Sequence, residues 1–158
     1  MATASSTTHT NPKSLLSIAE MKELVSELAR AKSRQDVGAI LGIYHPDGVL
    51  EAPPMGSRYC GADSLRRAME NFFKFAPDYS VVLEGQAVDG DTLCSWGKIS
   101  FTPQHSFGTE TPNGERVTTT VFILFRFSDN RIVWESFHFD IADAARQTGV
   151  SASAYRRS

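Results

Sequence analysis

Residues 115–150 read ERVTTTVFILFRFSDNRIVWESFHFDIADAARQTGV, and this stretch decides the fold. β-Branched and aromatic residues dominate it as far as Phe139 with a period close to two, which predicts two strands, about 115–127 and 131–139. Ser128-Asp129-Asn130 between them is a compact turn sequence, so the two should pair as an antiparallel hairpin. Beyond Asp140 the spacing changes, and residues 141–148 predict a short helix stopped by Gly149. Within the last strand, alternation puts Trp134, Ser136, His138 and Asp140 on one face and Glu135, Phe137 and Phe139 on the other. Parity alone does not say which face turns inward.

Moving towards the N-terminus, residues 79–88 and 92–103 carry the same strand chemistry, and Asp89-Gly90-Asp91 joins them as a second hairpin. Pro77 closes a helix with Leu65, Met69, Phe72 and Phe73 on its inner face and Asp63 as its expected cap. Before it lies a short extended run, residues 49–52, that meets Pro53-Pro54; MGSRYCG then reads as a loop. Ser33 is the expected cap of an earlier helix bearing Val37, Ile40, Leu41 and Tyr44 on one face and ended by His45-Pro46-Asp47-Gly48. Ser17 and Glu20 form a capping-box pair, and Met21, Leu24, Val25 and Leu28 recur at helical spacing after it. Helices first and strands afterwards mean an α+β fold.

The length, 158 residues, suits one domain, and 41% hydrophobic content supplies a sizeable core. The expected layout is a disordered tail over 1–13, one domain over 14–150 and a flexible tail over 151–158. A net charge of -2, with basic residues scattered rather than gathered in a stripe, argues against a nucleic-acid partner. Cys60 and Cys94 have neither CxxC spacing nor a neighbouring His pair, and the four histidines, at 9, 45, 105 and 138, show no metal-ligand pattern. With no signal peptide and no apolar run near the ~20 residues of a membrane span, a cytoplasmic protein without membrane attachment is expected. No phosphate-binding loop, dinucleotide fingerprint or nucleophile elbow occurs, so any chemistry is expected to need no cofactor and no metal.

Four phrases, taken in order, resemble the SnoaL-like branch of the nuclear-transport-factor-2-like superfamily. They are YHPDGVLEAPP (44–54), CGADSLRRAMENFF (60–73), FAPDYSVVLEGQAVDGD (75–91) and the run from FGTETPNGERV (107–117) to RQTGV (146–150). The resemblance covers about residues 20–150. It implies a cone-shaped α+β barrel, in which a curved antiparallel sheet wraps around N-terminal helices and leaves a pocket for a hydrophobic small molecule, with homodimers common. The superfamily hosts cyclases, isomerases, dehydratases, epoxide hydrolases and noncatalytic binding modules, so the fold does not name the reaction.

The resemblance also places Asp140 where cyclases of that branch carry an acid/base carboxylate. Asp140 and His138 are therefore the leading catalytic candidates, with Glu51, set in an apolar run, as a possible third group. Each has a bland alternative: Asp140 as the cap of the following helix, His138 as a core or interface histidine, Glu51 as a solvated loop residue. Tyr44, Phe72, Phe73, Trp96 and Trp134 are candidates for an aromatic pocket wall, and Tyr44 for an oxyanion donor. His105 is a weaker substrate-binding candidate, since a turn histidine at the surface explains it equally. Arg58 and Tyr59 are possible rim contacts. The reading is acid/base catalysis on a hydrophobic oxygenated metabolite of polyketide or terpenoid type. Its rivals are a noncatalytic binding or dimerisation module of the same fold, an epoxide hydrolase with a carboxylate pair bridged by an Arg, and an adaptor with an exposed apolar patch. Bulky apolar groups at Val121, Phe122, Ile123 and Leu124 occupy both faces of one strand and imply a homodimer through the sheet.

Overall fold

The computed structural model describes residues 15–106 and 108–156. The tail expected over 1–13, His9 included, lies outside the described residues. Helix α1, Ile18–Arg34, opens on the capping box: Ser17 Oγ accepts from the Glu20 amide at 3.2 Å, and Glu20 Oε2 accepts from the Ser17 amide at 2.7 Å. Its buried stripe is Met21, Val25, Leu28, Ala31 and Lys32, so a charged residue stands where an apolar one is the rule. Ser33 does not cap the next helix. Its hydroxyl accepts from the Val81 amide at 3.1 Å, and α1 runs on to Arg34. Asp36 instead caps α2, Val37–Ile43, by accepting from the Ala39 amide at 3.0 Å.

Tyr44, expected on the helix, is the first residue of strand β1, Tyr44–Ala52. The 3-10 turn Pro53–Met55 and Gly56, in the left-handed region at φ 67°, fold the chain back into β2, Ser57–Cys60, which corrects the expected loop. Helix α3, Ala62–Phe75, starts one residue before Asp63, which lies in its first turn and not at its cap. Strands β3 (Ser80–Asp89), β4 (Thr92–Phe101), β5 (Val117–Ser128) and β6 (Arg131–Phe139) follow as two antiparallel hairpins, and α4, Ile141–Thr148, ends at Gly149. Residues 152–155, placed by sequence in a flexible tail, form a 3-10 turn whose Tyr155 is buried beside Thr148 at 3.0 Å.

The six strands form one sheet in the order β2-β1-β6-β5-β4-β3. It is mixed rather than wholly antiparallel, because β1 runs parallel to β6, pairing Leu50 with Glu135 and Glu51 with Ser136. Strand parity therefore carries from β1 into β6: Leu50 and Glu135 share the inner face, and Glu51 and Ser136 share the outer one. Register shifts at Leu83/Gly85 and Arg126/Phe127 bend the sheet into an open cone. Helix α1 packs on β3, α3 on β1 and β2, and α4 on β5. Val121, Ile123 and Phe125 are buried on the inside, whereas Phe122 and Val82 stand 53% and 64% exposed on the outside. No helix among the described residues is long and apolar enough to cross a membrane.

Candidate active site

The cone encloses a cavity of about 70 Å³ between α1, α3 and the β1–β6 end of the sheet. Helix α3 contributes Ala68, Met69, Phe72 and Phe73; β1 and β2 contribute Leu50, Ala52, Ser57 and Tyr59; Met55, Tyr79 and Phe137 complete an almost wholly apolar wall. Phe72 and Tyr79 meet edge to face at 5.0 Å, which fixes one side of the cavity as a rigid aromatic surface. A wider depression of about 410 Å³ between α1 and β3 is shallow, and its Arg30 and Arg34 are already paired with Glu23 and Glu27 in solvent.

Among the described residues, one charged group lines the cavity. Lys32 reaches it from α1, and its Nζ donates to Glu135 Oε1 at 2.6 Å; the two side chains are 8% and 0% exposed. The Tyr44 hydroxyl donates to Glu135 Oε2, so each carboxylate oxygen holds a donor. The ammonium also lies 5.8 Å from the Phe137 ring centre. Burial, and after it the negative charge of Glu135, hold the Tyr44 and Tyr79 phenols well above the ordinary phenol range. Both hydroxyls therefore keep their protons near neutral pH. Ser57 lines the cavity, and its Oγ is buried with no hydrogen-bond partner among the described residues. Ser95 Oγ is likewise buried and unpartnered, in a small void that Lys32 and Tyr79 also line. A buried polar atom left without a partner costs on the order of 1–3 kcal/mol, so the place where Ser57 stands favours an oxygen-bearing guest.

The sequence profile of the SnoaL-like domain matches residues 25–135. The chain belongs to the SnoaL-like domain family. Solved structures agree on the fold. A protein with a ketosteroid isomerase-like fold from Catenulispora acidiphila superposes with a TM-score of 0.73 at 14% identity, covering 82% of this chain and 95% of that one. IdmH, a putative polyketide cyclase from Streptomyces antibioticus, gives 0.70 at 20% identity over 82% and 98%. An LEH-like epoxide hydrolase from M. tuberculosis gives 0.66 at 18% over 82% and 90%. A search of curated proteins returns no match.

Within this SnoaL-like domain the residues expected to be catalytic lie away from the cavity. His138 is on the outer face of β6, its Nε2 2.8 Å from Ser136 Oγ and its register partner the exposed Phe122. Asp140 caps α4, accepting from the Asp143 amide at 2.9 Å. Glu51 is on the outer face of β1, 3.4 Å from Arg58. The physical reason is one of parity: the inner face of β6 is that of Glu135 and Phe137. Trp134 is also outside, stacked on Arg126 at 4.9 Å, and Trp96 lies over Gly85. His105 is exposed in the loop after β4. Tyr44 is inside but touches Glu135 rather than the cavity. Phe72 and Phe73 do line it, as does Tyr59, while Arg58 does not. Among the described residues that line the cavity there is neither an Arg nor a carboxylate.

Asp140→Ala should therefore cost about 1 kcal/mol, the ordinary loss of a helix cap. Thermal melting should show that small drop, while a ligand titrated into the cavity binds the variant as it binds the wild type. A variant that melts normally but loses ligand binding would return Asp140 to the site.

Proposed function

We propose that this SnoaL-like domain is a cofactor-independent enzyme that binds a hydrophobic, oxygenated small molecule and polarises one of its carbonyl oxygens. The observation that carries this reading is the Lys32 ammonium, held by a fully buried carboxylate at the wall of an apolar, aromatic cavity. A carbonyl oxygen placed against Lys32 accepts a hydrogen bond from Nζ, and the protonated Tyr79 and Ser57 hydroxyls are further donors on the same wall. As the α-carbon passes its proton to a water molecule at the cavity mouth, negative charge gathers on that oxygen, and the fixed donors stabilise it more than water does. Ring closure, isomerisation and dehydration of poly-oxo compounds all pass through such an enolate. The likeness to IdmH, a putative polyketide cyclase, supports a polyketide-like substrate. Glu135 does not line the cavity; it is a positioning residue that holds the ammonium in place.

The test is hydrogen-deuterium exchange at the α-carbon of an aryl ketone such as 1-tetralone in deuterium oxide, followed by NMR. Wild-type protein should accelerate exchange, and Lys32→Met should lose about 10²-fold or more of that acceleration, the usual worth of an oxyanion donor. Noncatalytic binding is the second reading, favoured because no carboxylate or imidazole among the described residues lines the cavity. It predicts a bound ketone with no accelerated exchange.

A homodimer through the outer face of the sheet is part of the proposal, supported by the exposure of Val82 and Phe122 on that face. Sedimentation equilibrium should give a dimer for the wild type and a monomer for Phe122→Glu. A monomeric wild type removes it.

A further inference from the structure

We infer that Lys32 is also a covalent site, one that condenses with the carbonyl carbon of a hydrophobic aldehyde or ketone to form an imine. The inference rests on the carbonyl-binding reading of the same cavity and adds bond formation to it. Among the described residues lining the cavity Lys32 is the single amine, and the wall around it is almost wholly apolar. A buried lysine in such surroundings is the usual setting for Schiff-base chemistry, because water that would hydrolyse the imine is kept out. Three features fit this step in particular.

The first is a proton acceptor in contact. An ammonium cannot attack a carbonyl, and Glu135 Oε1, at 2.6 Å, is placed to take one proton from Nζ. The Nζ lone pair then forms the new C–N bond as the carbonyl π bond breaks. One further N–H proton passes to the oxygen to give the carbinolamine. The proton held on Glu135 returns through Nζ, the atom it contacts, to that hydroxyl, the C–O bond breaks, and water leaves. What remains is an iminium cation and a Glu135 carboxylate, with one water released and no redox partner required.

The second is charge. The buried pair begins with one positive and one negative group, and the iminium–carboxylate product keeps that balance, still beside the Phe137 ring. A carboxylic acid guest would instead add a second negative charge to a buried pair, at a large desolvation cost. The chemical class is thus a neutral carbonyl compound. The third feature is the unpartnered Ser57 hydroxyl, which can donate to the carbonyl oxygen while it accumulates charge and to the departing hydroxyl afterwards.

Reductive trapping tests the proposal. The full chain is incubated with 3-phenylpropanal and sodium cyanoborohydride and analysed by intact mass and peptide mapping. The expected product carries one adduct, the mass of the probe less its oxygen, on Lys32, formed at least about tenfold faster than adducts on the exposed Lys22, Lys74 and Lys98. Lys32→Arg keeps a cation opposite Glu135 and cannot form an imine, so it should lose that adduct alone while its melting curve shows that it folds. Glu135→Gln should slow trapping at Lys32 and leave the exposed lysines unchanged. Labelling confined to the exposed amines, or equal labelling of Lys32→Arg at the mapped site, overturns the inference. Calorimetry with the same probe separates the two levels: a bound but untrapped probe defeats the imine and spares carbonyl binding, whereas a probe that neither binds nor reacts, in a protein that also fails to exchange 1-tetralone, defeats both.

Discussion

Glu135→Ala should lose about 3–5 kcal/mol of unfolding free energy, the cost of leaving one member of a buried ion pair alone. The Lys32 side chain is 8% exposed and cannot swing into solvent without leaving the α1 stripe, so its charge stays in the interior without a counter-ion. The same substitution takes the acceptor from the Tyr44 hydroxyl, itself on a side chain that is 2% exposed. Against a total stability of roughly 5–15 kcal/mol for a domain, that is a large share. Urea titration with a tryptophan or circular-dichroism readout measures it. The double variant Lys32→Met/Glu135→Leu should recover most of the loss, since an apolar pair of similar volume often equals or exceeds a buried salt bridge in stability. That contrast bears on function. If the apolar pair is as stable as the native one, stability does not account for the charges, and the cavity chemistry does. A loss below about 1 kcal/mol for Glu135→Ala would instead show that water reaches the ammonium and that the pair behaves like a surface one.

Gly97→Ala should be the most damaging single-methyl change in the sheet. A β-carbon at Gly97 would stand 2.0 Å from the Val82 carbonyl oxygen and 3.0 Å from Leu83 Cα, both backbone atoms of the neighbouring strand. Relief requires β3 to move away from β4 beside the register shift at Leu83/Gly85, where the sheet curves. Overpacking of this kind costs about 1–3 kcal/mol or more. Gly85→Ala is the control. The three atoms nearest its β-carbon would all belong to the Trp96 ring, the first at 2.2 Å, and that ring sits on the outer face and can swing aside. Denaturation midpoints should fall clearly further for Gly97→Ala than for Gly85→Ala; the reverse order would mean that the strands adjust more easily than the indole.

Much of this architecture is written locally. Ser17 and Glu20 announce α1, Gly149 ends α4 in the left-handed region, and Asp129 and Asn130 both adopt positive φ in the hairpin turn that their sequence suggests. The strands from Ser80 to Phe139 follow from period-two chemistry. What the local signals do not carry is pairing between distant segments. The β1–β2 turn back and the parallel contact of β1 with β6 depend on the whole cone closing, and they settle which face of β6 looks inward. Parity leaves the inner face open, and the resemblance that singles out His138 and Asp140 does not fix it; in the fold His138 stands on the outer face and Asp140 caps α4. Two residues could have pointed to the inner face. Lys32 continues the 21-25-28 stripe at helical spacing, and Glu135 shares its parity with Phe137 and Phe139. A charge on an apolar stripe asks for a partner of opposite sign on an apolar face, and these two answer one another across 103 residues of sequence.

The two tryptophans of the chain, Trp96 and Trp134, both lie on the convex side of the sheet, one over Gly85 and the other against Arg126, while the cavity is walled by tyrosine and phenylalanine. The protein thus carries two separate optical reporters. Indole emission senses whatever covers the convex side, and tyrosine absorbance senses what enters the cone, so assembly and occupancy can be followed independently in one unlabelled sample.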